Sequence, residues 1–144
     1  MTVRLDRLSG QIAVVGSGLA GLLTALTLAP HPVVLITRAG LGSQTSSAWA
    51  QGGIAACVGI DDSADLHLVD TLAAGDGLCD PIVAASILGE APHAIAVLEK
   101  FGVRFDRTAN GALSLGLEAA HSRRRIVHVE GDGTGAAIVG ALVE

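Results

Sequence analysis

Three glycines spaced as Gly16-x-Gly18-x-x-Gly21 stand between the apolar run Ile12-Ala13-Val14-Val15 and a second apolar stretch that begins at Leu22. The spacing forces a buried strand to turn at once into a helix, and little else in the chain constrains the fold as tightly. Gly16 permits the tight turn, Gly18 leaves room for a pyrophosphate against the main chain, and Gly21 lets helix and strand pack closely. The helix N-terminus adds unpaired N–H groups and a partial positive charge. A GxGxxG alone also describes a tight turn with no ligand, and the chain holds 19 glycines. The flanking strand and helix favour a dinucleotide site.

The pattern around the motif extends the same reading. Residues 11–16 read as a first strand, 19–29 as a helix ending before Pro30, and Val33-Val34-Leu35-Ile36-Thr37 as a second strand. A right-handed crossover makes the two strands parallel neighbours. Residues 40–53 shift to Gly, Ser, Thr and Gln and read as a long loop, a type of segment that is usually functional. Residues 63–74 fit a helix capped by Ser63, with Leu66, Val69, Thr71 and Leu72 at helical spacing. Another helix is expected over residues 81–100, interrupted or bent at Pro92 and stopped by Gly102. Val103-Arg104-Phe105 reads as a short strand, Asn110-Gly111 as a turn, and 125–129 as a further strand. A last helix begins near Thr134. The expected class is α/β, a Rossmann-like nucleotide-binding domain with a parallel sheet. That sheet is expected to be incomplete, because such folds need more strands than 144 residues supply here. The helix entering Glu144 has no stop signal, so residues 1–144 are expected to be the first part of a longer domain.

Composition narrows the class. Aromatic residues make up 2% of a chain that is 50% hydrophobic, so the core is aliphatic, as parallel strands under helices prefer. A net charge of −5 argues against a nucleic-acid partner. Cys57 and Cys79 lack CxxC spacing, and the five histidines show no ligand pattern, so no metal and no disulfide framework are expected. Apolar stretches are broken before bilayer length. Arg4, Asp6 and Arg7 precede only a short strand, without the apolar core of a leader. The expectation is a cytoplasmic protein with no membrane partner.

Where many nucleotide folds carry an acid at the end of the second strand, this chain has Thr37-Arg38. Arg38 is open to three readings: a partner for a 2′-phosphate, a donor to an adenosine ribose or pyrophosphate, or a solvated strand end. The loop that follows, Ser43-Gln44-Thr45-Ser46-Ser47-Ala48-Trp49-Ala50-Gln51-Gly52-Gly53, resembles the flavin-binding loop of the succinate dehydrogenase and fumarate reductase flavoprotein superfamily. It is most similar to that of the L-aspartate oxidase family. Asp70-Thr71-Leu72-Ala73-Ala74-Gly75, Leu78-Cys79-Asp80 and Glu118-Ala119-Ala120-His121-Ser122-Arg123-Arg124-Arg125 extend the resemblance over nearly the whole chain.

The resemblance implies FAD as cofactor. Gly16, Ser17, Gly18, Leu19, Ala20 and Gly21 would carry the pyrophosphate, and Arg38 the adenosine side. Ser46, Ser47, Ala48, Trp49, Ala50, Gln51, Gly52 and Gly53 would pass along the ribityl chain and the flavin ring. Hydroxyls and backbone amides suit those polar atoms, and glycines allow close approach to a flat ring. Ser46 stands where covalent relatives place a flavin-linking histidine, so the resemblance implies non-covalent FAD.

Glu118 would face the substrate amine and favour aspartate over succinate through a charge-assisted contact. Without the resemblance it reads as an exposed loop glutamate. His121 and the three arginines read either as a solvated basic patch or as holders of a phosphate or carboxylate, with no catalytic role assigned. Ala119 and Ala120 replace two glycines often found between the glutamate and histidine of this segment.

The implied reaction takes a hydride from the Cα of L-aspartate to give iminoaspartate, with oxygen or fumarate reoxidising the flavin. The product would pass to quinolinate synthase in NAD biosynthesis. The family's catalytic arginine, its substrate histidines and the far half of its FAD site belong to sequence beyond Glu144. The 144 residues alone are therefore expected neither to turn over aspartate nor to bind FAD tightly. The alternatives are a fumarate reductase or succinate dehydrogenase type of flavoprotein, and an inactive truncated nucleotide-binding module.

Overall fold

A computed structural model describes residues 8–144. Arg4, Asp6 and Arg7, which carried the reading against a leader, lie outside the described residues. The chain divides into two compact units. One joins the residues up to Ala50 with Gly135–Glu144, and the other is Gln51–Thr134.

The first unit is built on β1 (Ile12–Val15), α1 (Leu19–Thr27) and β2 (Val33–Ile36). β1 and β2 pair in parallel, Ile12 opposite Val33 and Val15 opposite Ile36, as the crossover rule requires. Leu22 of α1 is buried, whereas Ile12, Val15 and Ile36 remain exposed. The polar loop is not wholly irregular. Thr45 caps a single helical turn, α2 (Ser46–Trp49), its hydroxyl accepting from the Ala48 N–H at 3.2 Å. Four residues show no apolar period, so the sequence pattern could not reveal this turn. Helix α5 (Thr134–Val143) buries Ile138, Val139 and Leu142. Gly135 donates to the Ala50 carbonyl at 3.0 Å, and a Cβ there would collide with the Ser47 carbonyl.

The second unit pairs α3 (Ala64–Gly75) with α4 (Pro81–Lys100) and adds a three-stranded antiparallel sheet. Its strands are β3 (Ile54–Ala55), β4 (Leu115–Gly116) and β5 (Ile126–Val127), in the order β3-β5-β4. The parallel sheet of the expected fold is therefore present as β1–β2 in the first unit, and the sheet of the second unit is antiparallel. Ser63 caps α3 as expected, accepting from the Leu66 N–H at 3.2 Å. Asp80 caps α4, accepting from Ile82 and Val83, with Pro81 at the first helical position.

Three expectations need correction. Helix α4 runs unbroken through Pro92. It is also 20 residues long with a mean hydropathy of 1.5 over its most apolar window, so one apolar stretch does reach bilayer length. That measure is of length and composition only: Ile95 and Leu98 of this helix are core residues of the unit, and Glu90 interrupts its apolar surface. Val103-Arg104-Phe105 is not a strand. α4 closes with Gly102 at φ +97°, the Val103 N–H bonding back to the Leu98 carbonyl and the Gly102 N–H to that of Glu99. The cap consumes the Val103 amide, and Val103 and Phe105 enter the core as irregular chain. Helix α3 leaves Leu66 and Val69 exposed. It turns His67 inward instead, because the polar cluster described below lies on that face.

Candidate functional site

The strand-to-helix turn after β1 opens onto a cavity of about 370 Å³ lined by residues 16–18, 37–39 and 43–47, all within the first unit. Gly16 sits at φ +101°, a conformation open to glycine and costly for other residues. A Cβ on Gly21 would collide with the Gly16 carbonyl oxygen, which makes this glycine the condition for packing α1 against the turn. A Cβ on Gly18 would come within 3.2 Å of Ser47 Oγ. Helix α1 has Gly18 as its N-cap residue, with no side chain to cap it, and no acidic residue in its first turn. Its N-terminus therefore keeps its electropositive character toward the cavity.

Hydroxyls fix the shape of this turn. Ser17 is buried; its Oγ lies 2.9 Å from Thr37 Oγ1 and accepts from the Gly42 N–H at 3.3 Å. Ser47 Oγ accepts from the Leu19 N–H at 3.1 Å. The Ser17 hydroxyl is thus engaged in holding the end of β2 and the following loop, leaving its backbone to face a ligand. Among the described residues, Arg38, exposed, is the one charged residue lining the cavity. An electropositive helix end, a glycine with no Cβ at its mouth and one arginine fit the pyrophosphate and adenosine portion of a dinucleotide.

The structure brings together Gly16, Ser17, Gly18, Arg38, Ser46 and Ser47 around the cavity. Leu19, Ala20 and Gly21 form the first turn of α1 behind them. Ala48, Trp49 and Ala50 do not line it, and Trp49 is 78% exposed. Gln51, Gly52 and Gly53 belong to the second unit. Gly53 has a packing reason to be glycine, since a Cβ would strike the Val127 carbonyl across the β3–β5 pair. Thr37, Ser43 and Thr45 are lining residues that the motif did not single out. Their signal was the hydroxyl-rich composition of the loop.

In the second unit Glu118 is exposed and opens a turn closed by the His121 N–H on the Glu118 carbonyl at 3.3 Å. Ala120 in that turn has φ +69°, where the two-alanine departure from glycine puts a Cβ in a left-handed conformation.

The arginine run separates into three environments. Arg124 is exposed, and Arg123 donates to the Asp61 carbonyl at 3.2 Å. Arg125 is fully buried. Its Nε and Nη2 form a two-pronged pair with Asp62, both at 2.8 Å, and its Nη1 donates to Asp70 Oδ2 at 2.8 Å. Arg125 is therefore neither part of a solvated patch nor free to hold a ligand anion.

Asp70 Oδ2 also accepts from the Ser122 N–H and hydroxyl, at 2.7 and 2.8 Å. These Ser122 bonds, with the Arg125 guanidinium, hold the Asp70 carboxyl below the usual carboxylate range. His67 lies edge-on to His121, ring centres 5.4 Å apart, with its Nδ1 buried and without a hydrogen-bond partner among the described residues. Burial, then the Arg125 charge and His121, push its pKa down. Asp70 and Ser122 stood within the segments that carry the resemblance without a role being read for them, and Asp62 carried no sequence signal. Among the described residues no group of three His, Cys, Asp or Glu side chains converges as a metal site.

The strand–turn–helix cavity defines a dinucleotide-binding fold, and residues 11–144 match the FAD binding domain family: the chain belongs to it. Within that family it is 65% identical over 131 residues to an L-aspartate oxidase of Agrobacterium fabrum, covering 91% of this chain and 25% of that protein. It is 60% identical over 138 residues to an L-aspartate oxidase of Xylella fastidiosa, covering 96% and 27%. The chain thus spans about a quarter of the length of these curated relatives. Among solved structures, a point variant of the E. coli quinol fumarate reductase FrdA superposes with a TM-score of 0.85 at 27% identity, over 93% of this chain and 23% of that one.

Proposed function

We propose that these residues are the N-terminal part of the FAD-binding domain of an FAD-dependent L-aspartate oxidase. The observation that carries the reading is 65% identity to a protein of that name across the glycine-motif cavity and the Glu118 segment together. The backbone of residues 16–18 and the α1 N-terminus hold the pyrophosphate, Arg38 neutralises charge on the adenosine side, and the hydroxyl loop ending in Ser46 and Ser47 closes over it. Residues 48–53 continue toward the ribityl chain and ring. Ser46 offers no imidazole for a covalent link, so FAD is held non-covalently. When bound, FAD supplies the two-electron acceptor for a hydride from the substrate Cα. Glu118 orients the substrate through its α-ammonium, which a dicarboxylate without an amine lacks.

The product is iminoaspartate, oxygen or fumarate serves as terminal acceptor, and quinolinate synthase is the consumer. The location is cytoplasmic, without membrane or nucleic-acid partners. The test is a side-by-side assay of the intact enzyme with L-aspartate and succinate, following hydrogen peroxide and acid-released flavin. Aspartate-dependent peroxide with all flavin released supports the reading. Succinate oxidation, or flavin retained after acid precipitation, contradicts it.

A further inference from the structure

The inference that follows rests on the proposed role of Glu118. The turn that Glu118 opens has little to hold its own shape. Ala119 and Ala120 carry no polar side chain, Ala120 lies at φ +69°, and residues 118–120 are all exposed. A strained conformation persists when its surroundings over-determine it.

Here the restraint comes immediately after the turn. Ser122 gives both its N–H and its hydroxyl to a single oxygen, Asp70 Oδ2, on α3 and 52 residues away in sequence. The same oxygen accepts Arg125 Nη1, and the remaining donors of that guanidinium are locked onto Asp62. One carboxylate oxygen thus ties the Glu118 turn, helix α3 and the root of β5 together.

We infer that Asp70 is the positioning residue for Glu118: by clamping Ser122 to α3 it sets how the Glu118 carboxylate is presented, and so the discrimination between an amino dicarboxylate and one without an amine. Asp70 itself touches no substrate. Its effect is exerted through a four-residue lever whose far end is the proposed amine partner.

Two measurements test this. In the intact enzyme, Asp70→Asn raises KM for L-aspartate by about tenfold, the equivalent of one lost charge-assisted contact. Reduction of fumarate, which has no amine, stays unchanged when a chemically reduced viologen dye supplies the two electrons in place of aspartate. In a Glu118→Gln background the Asp70 substitution adds nothing further, because both changes disable one contact. Ser122→Ala, which removes only the hydroxyl bond, shifts KM in the same direction by less and keeps the test readable if Asp70→Asn does not fold.

Equal losses with aspartate and fumarate, or full additivity with Glu118→Gln, overturn the inference. Amide hydrogen exchange of the intact enzyme reads the clamp separately. Ser122 is protected in the unaltered chain and loses protection in Asp70→Asn; no protection to lose also overturns the inference. An intact enzyme that does not oxidise aspartate removes the reading of Glu118 and the inference with it, while a clamp still visible by exchange shows which of the two failed.

Discussion

Removing Asp62 is the most severe single test of how the second unit is held together. Both the Asp62 and the Arg125 side chains are fully out of solvent, and two of the guanidinium's bonds, each 2.8 Å, go to this carboxylate. Asp62→Ala leaves Nε and Nη2 unpaired in a dry site. Hydrogen bonds to charged groups contribute about 1.5–3 kcal/mol each, so two give about 3–6. Breaking one side of a buried ion pair costs about 3–5 kcal/mol by mutational experience. The two figures agree on a loss near 4 kcal/mol, a large share of the roughly 5–15 kcal/mol that holds a domain folded.

The assay is urea unfolding followed by far-ultraviolet circular dichroism. With a slope of about 1–3 kcal/mol per molar, the midpoint falls by about 2 M, or the unit is unfolded without denaturant. Replacing both partners, Asp62→Leu with Arg125→Met, recovers part of the loss: neither member of that pair is left unpaired, while Asp70 gives up its Arg125 bond and keeps the two from Ser122. A loss below about 1 kcal/mol for Asp62→Ala refutes the reasoning, since that is the value of a solvated pair.

Other perturbations follow from single residues. Gly21→Ala drives a Cβ into the Gly16 carbonyl and displaces α1 from the turn, so FAD titration of the intact enzyme followed by flavin fluorescence shows weakened binding. Ala120→Gly relieves a left-handed alanine worth about 1–2 kcal/mol at a backbone-entropy cost of about 0.5–1, and a thermal melt rises by about 2 °C. His67 has its pKa lowered on folding, so below about pH 6.5 the unfolded chain takes up a proton that the folded one refuses. Stability therefore falls as pH drops from 6.5 toward the folded pKa. His67→Leu flattens that part of the profile, and an unchanged slope in urea melts across the range would count against the buried neutral imidazole.

The sequence revealed most where local chemistry decides structure. β1, α1 and β2 followed from an apolar run, three glycines and a second apolar run, and the Ser63 cap stands one residue before α3 as its hydroxyl requires. The cavity was legible because a GxGxxG acts through its own backbone. What stayed hidden depends on partners far along the chain. The bonds from Arg125 to Asp62 and Asp70 span 63 and 55 residues, and a run of three arginines reads as a solvated patch until the two carboxylates are placed against one of them. For the same reason the helical spacing of Leu66 and Val69 did not reveal that His67 holds the inner face of α3. β3 and β4 have two residues each and exist only by pairing with β5, so they have no period of their own to detect. The hydroxyl tethers Ser17–Thr37 and Ser47–Leu19 lie between these cases: the loop composition announced donors and acceptors, and the fold chose their partners.

Anaerobic mixing of the FAD-loaded intact enzyme with L-aspartate, followed by flavin absorbance, tests the account most directly. The account predicts that aspartate bleaches the flavin, that succinate does not, and that Glu118→Gln slows the aspartate reaction alone. Bleaching by succinate, or an aspartate reaction indifferent to Glu118, would contradict it.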